Sequence, residues 1–152
     1  MNFMENFEQA EKMDKLRTKM IKYILYKKRT EQEIRQKFSE EDPNMIEDAI
    51  AYFKELNYIN DANYIQKSVQ EFIHLKNLSI KEITYKLYQK GITKTLLEEY
   101  IAQHQEELQA YEINSAKAIW NKKIQNTDEN SVKEFLYKKG YLPETLHVIF
   151  EK

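Results

Sequence analysis

The sequence predicts an all-α protein, and three observations lead to that fold class. The 152 residues include only two Gly and two Pro, too few for the turns of a many-stranded sheet. Lys, Glu, Gln, Leu and Met, which favour helices, are common along the whole chain. Apolar residues also recur at intervals of three and four positions, the spacing that gives a helix one buried face.

The first predicted helix spans about residues 8–28. Apolar residues four positions apart form its inner face: Leu16, Met20 and Ile24. Thr30 and Glu33 then have the spacing of a capping box, in which each side chain binds a free backbone N–H group at the start of a helix. We therefore expect a short second helix from residue 31 to about residue 40.

The third predicted helix begins at Asp42 and Pro43, an N-cap followed by the residue type favoured at the first helical position. Four apolar residues at helical spacing form its inner face: Ile46, Ile50, Phe53 and Leu56. A turn follows, after which Asn60 or Asp61 can cap a fourth helix. Both starts are therefore marked by side chains that can bind free backbone N–H groups.

The second half of the chain predicts further short helices. A capping box of Ser79 and Glu82 begins the fifth helix, which ends at Gly91. From residue 94 to about residue 125 a helical pattern continues without Gly or Pro. This stretch predicts either one long helix or two helices with a bend near residues 109–110.

Equivalent residues recur at an interval of 49 positions. Four sets of three residues supply, in order, the N-cap, two apolar anchors and the end of a short helix: Thr30, Ser79 and Asp128; Ile34, Ile83 and Val132; Phe38, Leu87 and Leu136; Asp42, Gly91 and Gly140. Repeats of roughly 20–50 residues are typical of arrays in which each unit packs on its neighbours. The sequence therefore predicts three tandem three-helix modules at residues 14–58, 62–108 and 110–152, after a lead-in at residues 1–13, with the final helix beginning at Pro143.

Composition excludes several classes of function. Lys and Arg number 24 against 25 Asp and Glu, so bulk positive charge does not hold this chain to nucleic acid. Cysteine is absent, which excludes thiol catalysis, thiolate metal sites and disulfide scaffolds. No apolar run approaches the roughly 18 residues of a membrane span. The first residues also lack the features of an export signal, so we expect a cytoplasmic protein.

Four stretches form a more specific pattern when they are taken in order: TEQEIRQKF at residues 30–38, LNYIND at 56–61 leading to Tyr64, the segment from Ile83 through Leu87 to KGI at 90–92, and KKGY at 138–141. The most specific of them is the Leu-x-Tyr-hydrophobic-x-Asp junction, which the KGI stop follows about 30 residues later. Together these stretches resemble the RecX proteins, bacterial regulators of the RecA recombinase. The resemblance covers nearly the whole chain from Asp14 onward.

The resemblance implies an elongated, curved array of three three-helix repeats. It implies a protein that binds the RecA filament, generally along the filament groove, and restrains the ATPase, coprotease and strand-exchange activities of RecA. Some members of the family also bind DNA. Since each module is nearly neutral, we expect any contact with single-stranded or duplex DNA to be weak and salt dependent. We expect a monomer without a cofactor.

Ten basic residues are candidates for contacts with RecA or DNA. They are Lys27, Lys28, Arg29 and Arg35 in the first module, Lys86 and Lys90 in the second, and Lys122, Lys123, Lys138 and Lys139 in the third. Several are interleaved with aromatic residues, a pairing found on surfaces that bind single strands. Lysines near the end of a helix are also explained by the partial negative charge there. Only three basic residues are Arg, so bidentate phosphate contacts are fewer than is usual in the family.

Two Glu-x-x-His pairs have the spacing used by carboxylate-bridged di-iron sites: Glu71 with His74, and Glu144 with His147. Glu144 directly follows a proline in the first turn of a helix, where the helix dipole explains an acidic residue. No nucleophile arrangement and no Gly-rich phosphate loop is present in the sequence. We therefore expect neither a metal site nor an enzyme.

Two other functions stay open. The short, closely joined second and third helices of each module could form a helix-turn-helix-like DNA-binding module. The candidate recognition segments are acidic, however, with Glu47 and Asp48 in the first module and Glu98 and Glu99 in the second. The second alternative is a helical adaptor for another protein partner.

Overall fold

The computed structural model describes residues 2–150, and within that range it contains nine α-helices and no strand. The helices are α1 (Phe3–Tyr26), α2 (Glu31–Lys37), α3 (Pro43–Glu55), α4 (Asp61–Leu75), α5 (Ile80–Gln89), α6 (Lys94–Gln103), α7 (Gln105–Lys123), α8 (Glu129–Lys139) and α9 (Pro143–Phe150). This confirms the all-α class. Among these described helices, none has the length and apolar character needed to cross a membrane. Met1 of the predicted lead-in and residues 151–152 of the third predicted module lie outside the described residues.

Side chains cap the helices where the sequence predicts. Thr30 and Ser79 each accept a hydrogen bond at 3.1 Å from the backbone N–H of the third helical residue, Glu33 and Glu82 respectively. Each glutamate carboxylate accepts a bond in return from the backbone N–H of the cap residue, so both capping boxes are confirmed. Asp128 caps α8 in the predicted position. These local bonds satisfy N–H groups that a helix start otherwise leaves unpaired.

The ends of α1 and α2 differ from the prediction. The first helix begins at Phe3 rather than near residue 8, because Asn2 and Glu5 form a third capping box. The carboxamide oxygen of Asn2 accepts from the backbone N–H of Glu5 at 2.9 Å. The helix ends at Tyr26 instead of residue 28, and α2 ends at Lys37 instead of near residue 40.

The stretch from residue 94 to residue 125 forms two helices, α6 and α7, and the predicted bend near residues 109–110 is wrong. The break is at His104, whose ring nitrogen Nδ1 lies 2.8 Å from the carbonyl oxygen of Tyr100. In a continuous helix the backbone N–H of His104 would donate to that oxygen. That N–H instead donates to the carbonyl of Ile101, and the two rings stack with centroids 4.0 Å apart. The helix therefore ends where a side chain replaces a backbone donor.

Two compact units divide the chain, one ending at Tyr64 and the other beginning at Ile65. The core of the first unit contains ten buried apolar residues: Leu16, Met20, Ile24, Ile34, Phe38, Ile46, Ala49, Ile50, Phe53 and Ile59. In the second unit, one core cluster joins α7, α8 and α9: Ala116, Val132, Leu136, Tyr141, Leu146 and Ile149. The six apolar anchors of the repeat are all buried, although the division into three modules stays a prediction.

Candidate binding groove

A groove of about 500 Å³ lies in the second unit, between the C-terminal half of α7 and one face of α8. The groove is completed by Asn126 and Thr127, which lie between these two helices, and by Asn77, which follows α4. Eight residues line it: Asn77, Ile119, Lys122, Lys123, Asn126, Thr127, Phe135 and Lys139. Three of them belong to the ten predicted contact residues, so the fold brings together Lys122, Lys123 and Lys139.

Helical spacing explains why these side chains share one groove. Ile119 and Lys123 are four positions apart on α7, and Phe135 and Lys139 are four positions apart on α8. Side chains at this interval lie on the same face of a helix, one turn apart. Helix α7 therefore contributes Ile119 and Lys123, together with the neighbouring Lys122, and α8 contributes Phe135 and Lys139.

The three lysines of the groove have different surroundings. The Lys123 ammonium lies 4.1 Å from the centroid of the Phe135 ring, a cation–π contact. The Lys139 ammonium lies 3.0 Å from a carboxylate oxygen of Glu82, and its side chain is only 21% exposed. Lys122 is exposed and has no ion pair or hydrogen bond to the described residues. Lys122 is therefore the lysine with the most freedom to meet a ligand.

The groove is positively charged on balance. None of the described lining residues is acidic. The C-terminal ends of α7 and α8 lie nearby, and each helix end carries a partial charge of about half a unit negative. The two helix ends and the Glu82 carboxylate together carry about two negative charges, whereas the three lysines carry three positive charges. The groove therefore favours an anionic group.

Ser79 fixes one wall of the groove. Its hydroxyl donates to the backbone carbonyl of Lys139 at 2.9 Å and also caps α5. Glu82, in the first turn of α5, holds the ammonium group of the same lysine. The start of α5 is therefore tied twice to the end of α8, although 57 positions separate Glu82 from Lys139.

A buried network of hydroxyl groups continues from that wall. The hydroxyl groups of Ser115 and Tyr141 are 2.6 Å apart, and that of Tyr111 donates to the carbonyl of Leu78 at 2.6 Å. Burial raises the pKa of both tyrosines, so they stay protonated and can donate. The network fixes the connection before α5 against α7, next to the lining residue Asn77.

Two residues of the site, Phe135 and Glu82, were not predicted as contact residues from the sequence, and the burial of Glu112 behind the site was not predicted either. The exposed fraction of Phe135 is 40%, and only the pairing of α7 with α8 shows that its ring contacts a lysine. Glu112 is buried on α7, four positions after Leu108 and four before Ala116, both of which are also buried. That spacing is the sequence signal that could have placed Glu112 inside the protein.

The other predicted contact residues in the second unit lie outside the groove. Lys138, next to Lys139 on α8, pairs with Glu134 at 2.9 Å instead. Lys86 is exposed on α5, and Lys90 is exposed as the C-cap of the same helix. Lys86 and Lys90 are four positions apart and therefore lie on one side of α5, while Lys138 is on α8.

In the first unit, Arg35 makes strong internal contacts. Its guanidinium donates two hydrogen bonds to the carboxylate of Glu47, at 2.7 and 3.1 Å, and lies 3.2 Å from Glu31. The hydrogen bond from Arg35 lowers the pKa of the Glu47 carboxyl. The same hydrogen bond raises the pKa of the Arg35 guanidinium. Arg35 therefore joins α2 to α3, as bidentate arginine pairs often do.

The remaining three predicted residues follow the end of α1. The guanidinium of Arg29 lies 3.8 Å from the centroid of the Tyr23 ring and donates to the carbonyl of that residue at 3.3 Å. The Lys28 ammonium lies 5.4 Å from the centroid of the Tyr64 ring. Lys27 is exposed as the C-cap of α1. The Arg29 guanidinium is therefore held by internal contacts, whereas the Lys27 side chain is exposed to solvent.

The two Glu-x-x-His pairs do not assemble into a cluster. Among residues 2–150, no group of three or more His, Cys, Asp or Glu side chains is arranged to hold a metal ion. Glu144 lies in the first turn of α9, as the helix-dipole explanation requires.

Comparison with known proteins identifies relatives of the chain. No protein-family model matches it. The regulatory protein RecX of Finegoldia magna is 34% identical over 136 residues, which are 80% of this chain and 63% of that protein. RecX of Clostridium botulinum is 32% identical over 138 residues, 84% of this chain and 63% of the relative. RecX of Staphylococcus carnosus is 30% identical over 150 residues, 93% of this chain and 56% of the relative. The chain thus spans less than two thirds of the length of these relatives.

Two crystal structures have a similar fold. A regulatory protein RecX superposes with a TM-score of 0.79 at 22% identity, covering 100% of this chain and 80% of the other. RecX from Lactobacillus salivarius gives a TM-score of 0.77 at 21% identity, covering 93% of this chain and 96% of the other. These likenesses show that the helical fold is shared over nearly the full length of the chain.

Proposed function

Since the chain belongs to the RecX family of regulatory proteins, we propose that it binds the filament formed by RecA on DNA and inhibits the ATPase, recombinase and coprotease activities of RecA. The observation that carries this proposal is the similarity to curated proteins named regulatory protein RecX, at 30–34% identity over most of the chain. In this proposal the chain acts in the cytoplasm, as a monomer, and by binding rather than by catalysis.

The charge balance of the chain supports a protein partner. With 24 basic and 25 acidic residues, the chain has no large excess of positive charge with which to compete for DNA phosphates. A partner that is itself a protein on DNA can be recognised by faces of mixed charge, with electrostatic complementarity setting orientation. Direct DNA contact would then be a minor and salt-sensitive part of binding.

Three of the ten candidate residues are the strongest contact candidates in this proposal. Lys27, Lys86 and Lys122 are exposed, and none has an ion pair or hydrogen bond to the described residues. In contrast, Arg35 and Lys139 would have to leave Glu47 and Glu82 before they met a partner. Breaking an internal ion pair costs free energy, which offsets part of the free energy gained from a new contact with a partner. We therefore rank the three lysines first.

The test is the ATPase activity of RecA on single-stranded DNA, measured while the chain is titrated in at two salt concentrations. We expect ATPase activity to fall with added protein at both salt concentrations. Inhibition by simple competition for DNA would weaken steeply at the higher salt. ATPase activity that stays unchanged at several-fold excess of the chain would contradict the proposal.

A helix-turn-helix-like role in DNA binding has less support. Exposed acidic residues occupy the candidate recognition helices, with Glu47 and Asp48 on α3 and Glu98 and Glu99 on α6. Such residues repel phosphates. Sequence-specific binding to duplex DNA that single strands do not displace would favour this alternative, and recovery of a different protein partner would favour the adaptor.

A further inference from the structure

The groove between α7 and α8 combines positive charge with apolar surface. Lys122 and Lys123 provide ammonium groups at one wall, while Ile119 and Phe135 provide carbon surface beside them. Phe135 is a large apolar side chain that is nonetheless 40% exposed. Amide and hydroxyl groups of the other lining residues can donate or accept hydrogen bonds. A ligand that fits this lining has anionic groups next to an apolar group.

These features favour a peptide over a nucleic acid. Single strands are bound where bases stack on open aromatic faces along a positive groove. Here the Lys123 ammonium already lies over the Phe135 ring, 4.1 Å from its centroid. An aliphatic side chain of a peptide does not need an open ring face, because it can pack against the edge of the Phe135 ring and against Ile119. Carboxylates next to it can bind Lys122, which has no ion pair to the described residues.

We propose that this groove is a docking site for an extended acidic segment of a partner protein. One apolar side chain of the segment contacts Ile119 and Phe135, and carboxylates on either side of it bind Lys122 and Lys123. Lys139 is held by Glu82 and serves mainly to fix the wall. This inference goes beyond the proposed function, because it concerns the chemistry of the bound segment whatever protein carries it.

The rigidity of the groove supports docking. The bonds from Ser79 and Glu82 to Lys139 fix the start of α5 against the end of α8. A site whose walls are held before binding loses less conformational freedom when a ligand enters. An extended segment is therefore met by a preformed surface.

The test uses the full chain and a fluorescein-labelled peptide of sequence Glu-Asp-Glu-Leu-Asp-Glu, with binding followed by fluorescence anisotropy at about 0.15 M salt. We expect this peptide to bind and its amide counterpart, Gln-Asn-Gln-Leu-Asn-Gln, not to bind. Lys122→Glu should weaken binding about tenfold or more, because it places like charges together. Phe135→Ala should weaken it less, through loss of apolar contact alone.

Lys67→Glu is the matched control, since it makes the same charge change at an exposed lysine of α4 outside the groove. It should leave peptide affinity unchanged, and thermal unfolding should show that all variants are folded. Absence of peptide binding, or binding that neither groove variant weakens, would overturn the inference. So would tight binding of an oligothymidylate that Lys122→Glu abolishes, which would make the groove a nucleic-acid site. No RecA is present, so these outcomes are independent of the ATPase test.

Discussion

Glu112 is an acidic residue that the fold buries almost completely. It is 2% exposed, and its carboxylate accepts a hydrogen bond at 3.3 Å from the backbone N–H of Leu142, immediately before α9. Burial raises the pKa of this carboxyl, and the hydrogen bonds from Leu142 and Thr145 offset the rise only in part. Because the folded state holds this proton more tightly, Glu112 favours folding most below its ordinary pKa of 4.5. That contribution is lost as the pH rises through the folded pKa.

Glu112→Gln should therefore unfold at a higher temperature than the unchanged protein at pH 7. The variant keeps an oxygen acceptor for Leu142 but carries no charge, so it avoids the cost of a buried carboxylate. The difference should shrink as the pH falls toward 4.5, where the glutamate itself becomes neutral. Thermal unfolding followed by circular dichroism across this pH range measures the effect.

Glu112→Ala is the control for the hydrogen bonds. It removes the acceptor, leaves the N–H of Leu142 without that partner and should cost about 1–3 kcal/mol. A Gln variant whose relative stability falls between pH 4.5 and pH 7 would show instead that folding favours the charged carboxylate.

At the scale of elements, the helix caps differ in how much each one holds together. Ser79 is fully buried and acts on two helices, since its hydroxyl caps α5 and also donates to the carbonyl of Lys139 at the end of α8. Asp128 is an exposed cap that bonds only within its own turn and to the residue before it. Equivalent positions of the repeat therefore have different structural importance.

Ser79→Ala should destabilise the protein more than Asp128→Ala does. The serine variant loses a cap and leaves a carbonyl at the end of α8 without its donor, a combined loss of about 1–3 kcal/mol. The aspartate variant loses a solvent-exposed cap alone. Urea unfolding of both variants measures the two losses, and equal losses would mean that the bond to Lys139 adds nothing to stability.

For the whole molecule, the proposed function together with a nearly neutral charge predicts that a partner is recognised through scattered contacts. The three predicted contact lysines that are exposed and have no ion pair to the described residues lie in both compact units, with Lys27 in the first and Lys86 and Lys122 in the second. Each one alone would contribute little, as solvent-exposed charges usually do. Their joint removal is therefore the informative change.

The triple variant Lys27→Glu, Lys86→Glu and Lys122→Glu should inhibit the RecA ATPase at least about tenfold more weakly than the unchanged chain, because like charges oppose binding at each contact. Inhibition is measured as the protein concentration that halves ATPase activity. The matched control reverses three other exposed lysines, Lys12, Lys15 and Lys19, which all lie on α1. Equal loss in both variants would show that net charge, rather than these contacts, governs inhibition.

Local features of this protein follow from the order of its residues along the chain. The capping boxes at Thr30 and Ser79, the helix end at Gly140 and the buried anchors of the short helices follow from residues three to five positions apart. Contacts over such short intervals depend on helix geometry alone, which is the same in every protein. For this reason the all-α class and most helix starts could be predicted, while several helix ends could not.

Packing of the helices against one another sets which distant residues come into contact. The pairing of Glu82 with Lys139, the contact of Lys123 with Phe135 and the burial of Glu112 arise only when α5, α7, α8 and α9 pack together. The ten predicted cations could not be ranked beforehand, because an ion pair across 57 positions leaves no periodic signal in the sequence. Long-range packing therefore determined which lysines remain available and where the groove lies.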